Sequence, residues 1–170
     1  NTTRGLHAGG SGSLNTIAYI TIATTGDAID FGDLTAGAGW IGSGASSIRG
    51  IFAGGYASPV GLNRIEYVTI ATTGDAQDFG DLSLSRKFIA SSGDSTRGLF
   101  MGGETPTSQS VIDYVTISSS GGANDFGDLT EAKDFGAACN SNVRGVYGGG
   151  HTSEYLSAID SVIIQSTGQA

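Results

Sequence analysis

One seven-residue phrase occurs four times in this chain of 170 residues. It reads Arg4-Gly5-Leu6-His7-Ala8-Gly9-Gly10, Arg49-Gly50-Ile51-Phe52-Ala53-Gly54-Gly55, Arg97-Gly98-Leu99-Phe100-Met101-Gly102-Gly103 and Arg144-Gly145-Val146-Tyr147-Gly148-Gly149-Gly150, with steps of 45, 48 and 47 between the arginines. A second phrase, Asp-Phe-Gly-Asp-Leu, runs from Asp30 to Leu34, Asp78 to Leu82 and Asp125 to Leu129. A fixed period of this size means one supersecondary unit repeated, each copy too small to bury its own apolar faces and so stacked on its neighbours. The copies divide a single repeat domain, 1–170, into segments of approximately 1–34, 35–82, 83–129 and 130–170, the first and last incomplete.

The copy beginning after Leu82 shows the unit most clearly. Phe88 to Ser92 reads as a first short strand, Gly93-Asp94-Ser95 as a turn, and Arg97 to Met101 as a second strand stopped by Gly102-Gly103. A polar loop, Glu104 to Ser110, leads to a third strand from Val111 to Ser118, rich in β-branched and aromatic residues. Asn124 to Leu129 is a short fourth strand at an edge. Third strands recur as Ile17 to Ile22, Ile65 to Ile70 and Ile159 to Ile164; apolar residues on both phases of the pleat imply that both faces are covered. No window carries the i, i+3, i+4, i+7 apolar stripe, so helix is not expected. The expectation is all-β: about four four-stranded antiparallel sheets, with strands 2-3-4 in the first copy, two full copies, and strands 1-2-3 in the last. By the repeat, roughly 20 residues are lacking for four whole units. Either a longer parent chain or a neighbouring chain supplies them.

Composition narrows the function classes. The 29 glycines suit tight turns that need positive φ. Net charge is −8, and four of the eight basic residues are the repeat arginines, one per copy, which excludes the clustered cations of a nucleic-acid surface. No apolar run reaches the roughly 18 residues that span a bilayer, so no membrane insertion is expected. The single cysteine, Cys139, permits no internal disulfide and reads as a small buried core residue. No cofactor motif is present.

Chemistry-bearing patterns were weighed in turn. Asp78-Phe79-Gly80 matches a kinase metal-binding triplet but lacks every other kinase element. Asp27, Asp30 and Asp33, echoed by Asp75, Asp78, Asp81 and by Asn124, Asp125, Asp128, cannot converge from one strand on a calcium ion; they read as turn caps, with no metal. His7 stands where Phe52, Phe100 and Tyr147 stand, so it reads as a packed aromatic, and His151 is solitary in its loop, without zinc partners. No nucleophile elbow or acid/base pair emerges, so an enzyme is not expected. Trp40, Phe88 and Phe135 recur at one first-strand position and read as wedges between adjacent sheets, with a sugar platform as the sharper reading of Trp40. Arg4, Arg49, Arg97 and Arg144, with the glycine pairs Gly9-Gly10, Gly54-Gly55, Gly102-Gly103 and Gly149-Gly150, read as structural repeat positions; the arginines are expected on carbonyls or on carboxylates of an adjacent strand.

The order of features resembles the kelch repeat: Arg86 before the first strand, Gly102-Gly103 ending the second, Tyr114 in the third and Phe126 in the fourth. The fourth-strand aromatic is Phe31, Phe79 or Phe126 rather than Trp, and only one copy carries the arginine before strand 1. The more particular wording, Arg-Gly-Phe-x-Gly-Gly with Ile-x-Tyr-x-x-Ile and Asp-Phe-Gly-Asp-Leu, resembles kelch-like repeat proteins of tailed phages, especially those of marine bacteria. That resemblance implies a β-propeller, a virion location in a tail fibre or tail tip, and other virion proteins or copies of itself as partners.

Copies differ most in the loops after the glycine pairs, which project from one edge. Tyr56, Arg64, Glu104, His151 and Tyr155 are the candidate ligand-binding residues there. The leading expectation is a non-enzymatic adhesion module binding a host surface glycan or protein. A purely structural virion or filament subunit completed by a neighbouring chain, and a secreted, extracellular lectin-like propeller, are the alternatives.

Overall fold

The computed structural model describes every residue from Asn1 to Ala170. The protein is all-β and has no helix, so none is long and apolar enough to cross a membrane. The first sheet holds β1 (Arg4–Ala8), β2 (Thr16–Thr21) and β3 (Ile29–Asp33) in that order. The second holds β4 (Gly42–Ala45) and β5 (Arg49–Ala53), then, past a small hairpin of β6 (Tyr56–Ala57) and β7 (Val60–Gly61), β8 (Arg64–Thr69) and β9 (Gln77–Asp81). The third is β10 (Ala90–Gly93), β11 (Arg97–Met101), β12 (Val111–Thr116) and β13 (Asn124–Asp128). The fourth is β14 (Ala137–Asn140), β15 (Arg144–Gly148) and β16 (Ile159–Ile163). All pairings are antiparallel, no sheet closes on itself, and no hydrogen bond joins the first sheet to the fourth.

Three aliphatic and aromatic clusters fill the three junctions between consecutive sheets. Ile17, Phe31 and Leu34 of the first sheet meet Phe52 and Val68 of the second. Ile51, Phe79 and Leu82 of the second meet Ile89, Phe100 and Ile117 of the third. Leu99, Phe126 and Leu129 of the third meet Tyr147, Val162 and Ile164 of the fourth. The core therefore lies between the sheets, as neighbour-dependent repeats require.

The Asp-Phe-Gly-Asp-Leu phrase builds a clasp. In the second sheet Ile65 pairs with Gly80 and Glu66 with Asp78, leaving Phe79 as the extra residue of a β-bulge; the first and third sheets do the same. The bulge turns the Phe79 carbonyl outward to accept the Gly121 N–H of the next sheet at 2.6 Å, while the Asp81 carbonyl accepts from Ala123 at 2.7 Å. Phe31 and Asp33 receive Gly74 and Ala76 in the same way, and Phe126 and Asp128 receive Gly168 and Ala170. Gly80 has φ 146°, and a Cβ there would collide with the Gly121 carbonyl, so the phrase requires glycine.

The repeat arginines reach the next sheet as well. Nη1 of Arg4, Arg49 and Arg97 donates to the carbonyls of Ile70, Ile117 and Ile164 at 2.8, 3.2 and 3.1 Å. Each guanidinium lies over a tyrosine of its own sheet, Tyr19, Tyr67 or Tyr114, at 4.3 to 4.5 Å. Carbonyls, not the Asp-Phe-Gly-Asp carboxylates, are their acceptors. Arg144 is exposed and makes neither contact: Ser161 stands where the tyrosine would be, and no next sheet offers it a carbonyl.

A buried cation secures the third sheet. Arg86 donates to the carbonyls of Gly102, Val111 and Phe100 and to Asp113 at 2.7 Å, with both side chains fully buried. Burial lowers the Arg86 pKa, and the Asp113 carboxylate opposes that shift. In the fourth sheet Lys133 takes this place, 2.8 Å from Asp160. Ala38 leaves it vacant in the second, and Arg64 swings in from β8 onto Glu66 at 2.9 Å.

Three sequence expectations need correction. Cys139 is exposed: its counterpart Ser92 is covered by the fourth sheet, and no sheet packs on the fourth in the same way. His7 is exposed because no sheet packs on that face of β1, whereas Phe52, Phe100 and Tyr147 are buried against the preceding sheet. Trp40 and Phe135 are not buried wedges: they are 50% and 60% exposed and precede their strands.

Candidate functional site

Each glycine pair ends a second strand, and the first three stitch their sheet to the next. The first glycine closes its own loop: Gly54 donates to Arg64 and Gly102 to Val111. The second crosses the junction, Gly10 donating to Ala38, Gly55 to Arg86 and Gly103 to Lys133, and the return bonds run from Ala38 to Leu14, Arg86 to Leu62 and Lys133 to Gln109. These bonds fix the backbone that leads into each first strand.

Immediately beyond lies the recurring aromatic. Trp40, Phe88 and Phe135 all adopt left-handed backbone, φ 56°, 56° and 53°. A bulky residue rarely accepts this conformation, which costs about 1–3 kcal/mol, and such strain gathers where side-chain placement matters. Its effect is to throw three rings out along the edge. Trp40 and Phe88 lie 4.8 Å apart, Phe88 and Phe135 stack at 3.7 Å, and Tyr56 extends the row 5.4 Å from Trp40.

The residue before each aromatic bridges to the first residue after the glycine pair of its own sheet: Gly39 with Tyr56, Lys87 with Glu104, Asp134 with His151. These are the positions at which the copies differ. Lys87 Nζ is 3.4 Å from Glu104 and lies near the Tyr56 and Phe88 rings. His151 Nδ1 is 3.8 Å from Asp134, and its ring meets Tyr155 edge-on at 5.2 Å, so His151 is not solitary. Asp134 is buried; one oxygen accepts from the Ser108 hydroxyl at 2.9 Å and the other has no hydrogen-bond partner.

Of the five loop candidates, Tyr56, Glu104, His151 and Tyr155 thus lie along the double-glycine edge, with Tyr155 91% exposed. Arg64 is withdrawn from it: its guanidinium is spent on Glu66 and the Ala36 carbonyl. Sequence reasoning missed Lys87, Asp134 and the serines beside Trp40. A signal existed. Gly39 to Tyr56, Lys87 to Glu104 and Asp134 to His151 are each 17 residues apart (56−39, 104−87, 151−134), and one of the three pairs, Lys87 with Glu104, is charge-complementary.

Between the first two sheets this edge opens into a pocket of about 190 Å³, walled by Trp40 and Tyr56 and by Ser11, Ser13 and Ser58. At the opposite edge a polar cleft of about 810 Å³ lies among the inner strands, lined by Ser43, Ser46, Ser91, Asp94 and Ser95 among others. Burial alone would raise the Asp94 carboxyl, but N–H groups of Arg97 and Thr96, the Thr96 hydroxyl and the Gln165 amide hold it down at about 2. That carboxylate caps a turn and ties it to the fourth sheet. Of the acidic clusters, Asp75 accepts from the Asp33 N–H, Asp125 from the Gly127 N–H and Asp128 from the Ser110 hydroxyl. No group of three or more His, Cys, Asp or Glu side chains gathers as a metal site.

No protein-family model matches the chain, and no curated protein matches it either.

Proposed function

We propose that the chain is a kelch-like β-propeller segment serving as a non-catalytic adhesion module of a virion, of the tail-fibre or tail-tip kind found in tailed phages. The double-glycine edge is its binding surface, engaging a glycan or protein of a host cell. Two lines support this reading. The repeat wording resembles kelch-like phage proteins. The observation that carries the surface is the exposed aromatic row, held in left-handed backbone and flanked by the positions at which the copies differ. Polyvalent display would raise weak single sites to useful avidity. Glycan-array and host-cell binding by the wild type and by Tyr56→Ala and Tyr155→Ala tests it. Binding lost in the variants supports the surface; binding unchanged by every loop exchange rejects it.

A second reading, a structural subunit completed by a neighbouring chain, has its own observation. Ile20 of β2 and Ile22 just after it are 47% and 54% exposed, while their counterparts Val68, Ile70, Val115, Ile117, Val162 and Ile164 are buried against a preceding sheet. Ile159 of β16 is 74% exposed, while Ile17, Ile65 and Ile112 are fully buried. Two different faces left open would join head to tail. Ile20→Asp and Ile159→Asp should each block self-association alone yet form a one-interface dimer when mixed. A wild type monomeric at all concentrations by sedimentation removes this reading.

A further inference from the structure

We infer that the pocket between Trp40 and Tyr56 takes one uncharged pyranose ring, as a residue of a neutral surface glycan. The inference rests on the adhesion reading above and specifies its ligand. It begins with the pocket's chemistry. A pyranose presents a face of C–H groups, which packs on an aromatic ring, and a rim of hydroxyls, each both donor and acceptor. The pocket offers both complements. Trp40 is half exposed, and the Tyr56 ring stands 5.4 Å from it, tilted by 36°. Ser11 and Ser58 are exposed and their hydroxyls bond nothing in the protein; Ser13 makes only a long contact, 3.4 Å, to the Tyr56 carbonyl. A concave site with apolar walls and a few convergent polar groups has the make-up of a small-ligand site. At about 190 Å³ it is the size of a single ring.

The walls are preset. The Gly39 and Tyr56 backbones exchange two hydrogen bonds of 3.0 and 2.8 Å, and the Trp40 carbonyl accepts from the Phe88 N–H. With the backbone so fixed, the indole packs against the Phe88 and Tyr56 rings at 4.8 and 5.4 Å, so the ligand meets a ring already in place, and less ordering opposes binding. The choice of a neutral sugar follows from charge. No acidic or basic side chain, Asp, Glu, His, Lys or Arg, lines the pocket. The nearest cation, Lys87, is paired with Glu104, and the chain carries net charge −8, which repels uronic and sialic acids.

The site is also singular. At the second junction the corresponding ring, Phe88, is covered by the stacked Phe135 ring at 3.7 Å and by Lys87, which is itself paired with Glu104. At the first junction the loop is short and made of Ser and Gly, Ser11-Gly12-Ser13, so the indole face stays open.

Trp40 is the only tryptophan, so its fluorescence and its indole N–H resonance report on this pocket alone. The test is titration of the 170-residue protein with the methyl pyranosides of glucose, galactose, mannose and N-acetylglucosamine, and with glucuronate and sialic acid. At least one neutral pyranoside should shift the Trp40 signals saturably at millimolar concentration, while the acids do not. Ser11→Ala with Ser58→Ala should weaken that ligand about tenfold with the remaining amide spectrum unchanged, and Trp40→Phe should weaken it at an unchanged fold. The inference is overturned by a silent Trp40 signal with every neutral sugar, by preference for the acids, or by glycan binding indifferent to these substitutions. If the protein still binds cells or glycan arrays in those cases, the adhesion reading stands and only this pocket falls; loss of all binding removes both.

Discussion

At the junction between the second and third sheets, Phe79, Leu82, Ile89 and Phe100 are buried together, Gly80 accepts the close approach of Gly121, and Arg49 reaches the Ile117 carbonyl. At the double-glycine edge above it, Lys87, Glu104, Tyr56 and Phe88 meet in partial exposure, and the next junction has Asp134, His151 and Phe135 in their stead. Both regions are built from the same repeat. Most positions that touch a neighbouring sheet are held to one kind of residue, glycine at the clasp and apolar side chains in the core, because the neighbour's shape repeats too. A position that touches only its own loop is free to change, and its changes come in pairs. The copies thus separate what holds the sheets together from what the edge can offer a partner.

The sharpest way to break this contrast is at the buried ion pair. Arg86→Ala or Asp113→Ala leaves an uncompensated buried charge and should cost about 3–5 kcal/mol in chemical denaturation. Arg64→Ala should cost clearly less, because the Arg64–Glu66 pair is partly exposed. Next come the glycines. Gly80 and Gly74 have similar φ, 146° and 152°, but only a Cβ at Gly80 would strike the neighbouring sheet. Gly80→Ala should therefore destabilise by about 1–3 kcal/mol more than Gly74→Ala, and equal losses would remove the clasp as the cause.

A smaller effect follows from Asp94. Its folded pKa, about 2, lies below the ordinary 3.8, so its contribution is complete above pH 3.8 and is lost as pH falls towards 2. The melting temperature should drop by a few degrees through that window, and the drop should shrink in Asp94→Asn. Asp160, lowered despite its burial by its bonds to Lys133 and Thr130, adds a loss of the same sign. Smallest of all, Glu104→Gln and Tyr155→Ala should change stability by within about 0.5 kcal/mol, since neither side chain supports a junction.

Much of the architecture was legible because its signals are local and repeated. Arg97 to Met101 is β11 as read from sequence, and the three- and four-stranded sheets follow the copies. The bulge at Phe79-Gly80 was not legible, although its glycine recurs, because the close approach depends on a turn more than 40 residues later. Trp40, Phe88 and Phe135 were read as wedges since period-2 reasoning assumes extended backbone; left-handed φ breaks that alternation and turns the rings outward. Cys139 and His7 misled for a related reason: burial belongs to a neighbour, and theirs is missing. At the edge, the loops located the site, but Arg64 was lost to it through Ala38, whose small side chain vacates the place that Arg86 fills one sheet later.

The clasp between sheets is open to one direct measurement, native-state hydrogen exchange of four amides at the same repeat position. Gly74, Gly121 and Gly168 donate to the carbonyls of the preceding sheet, whereas Gly26 has no preceding sheet to receive it. Slow exchange at Gly74 and Gly121, with Gly26 as fast as an open turn, is the predicted pattern. Equal and rapid exchange at all four would mean that the sheets do not hold one another in this way.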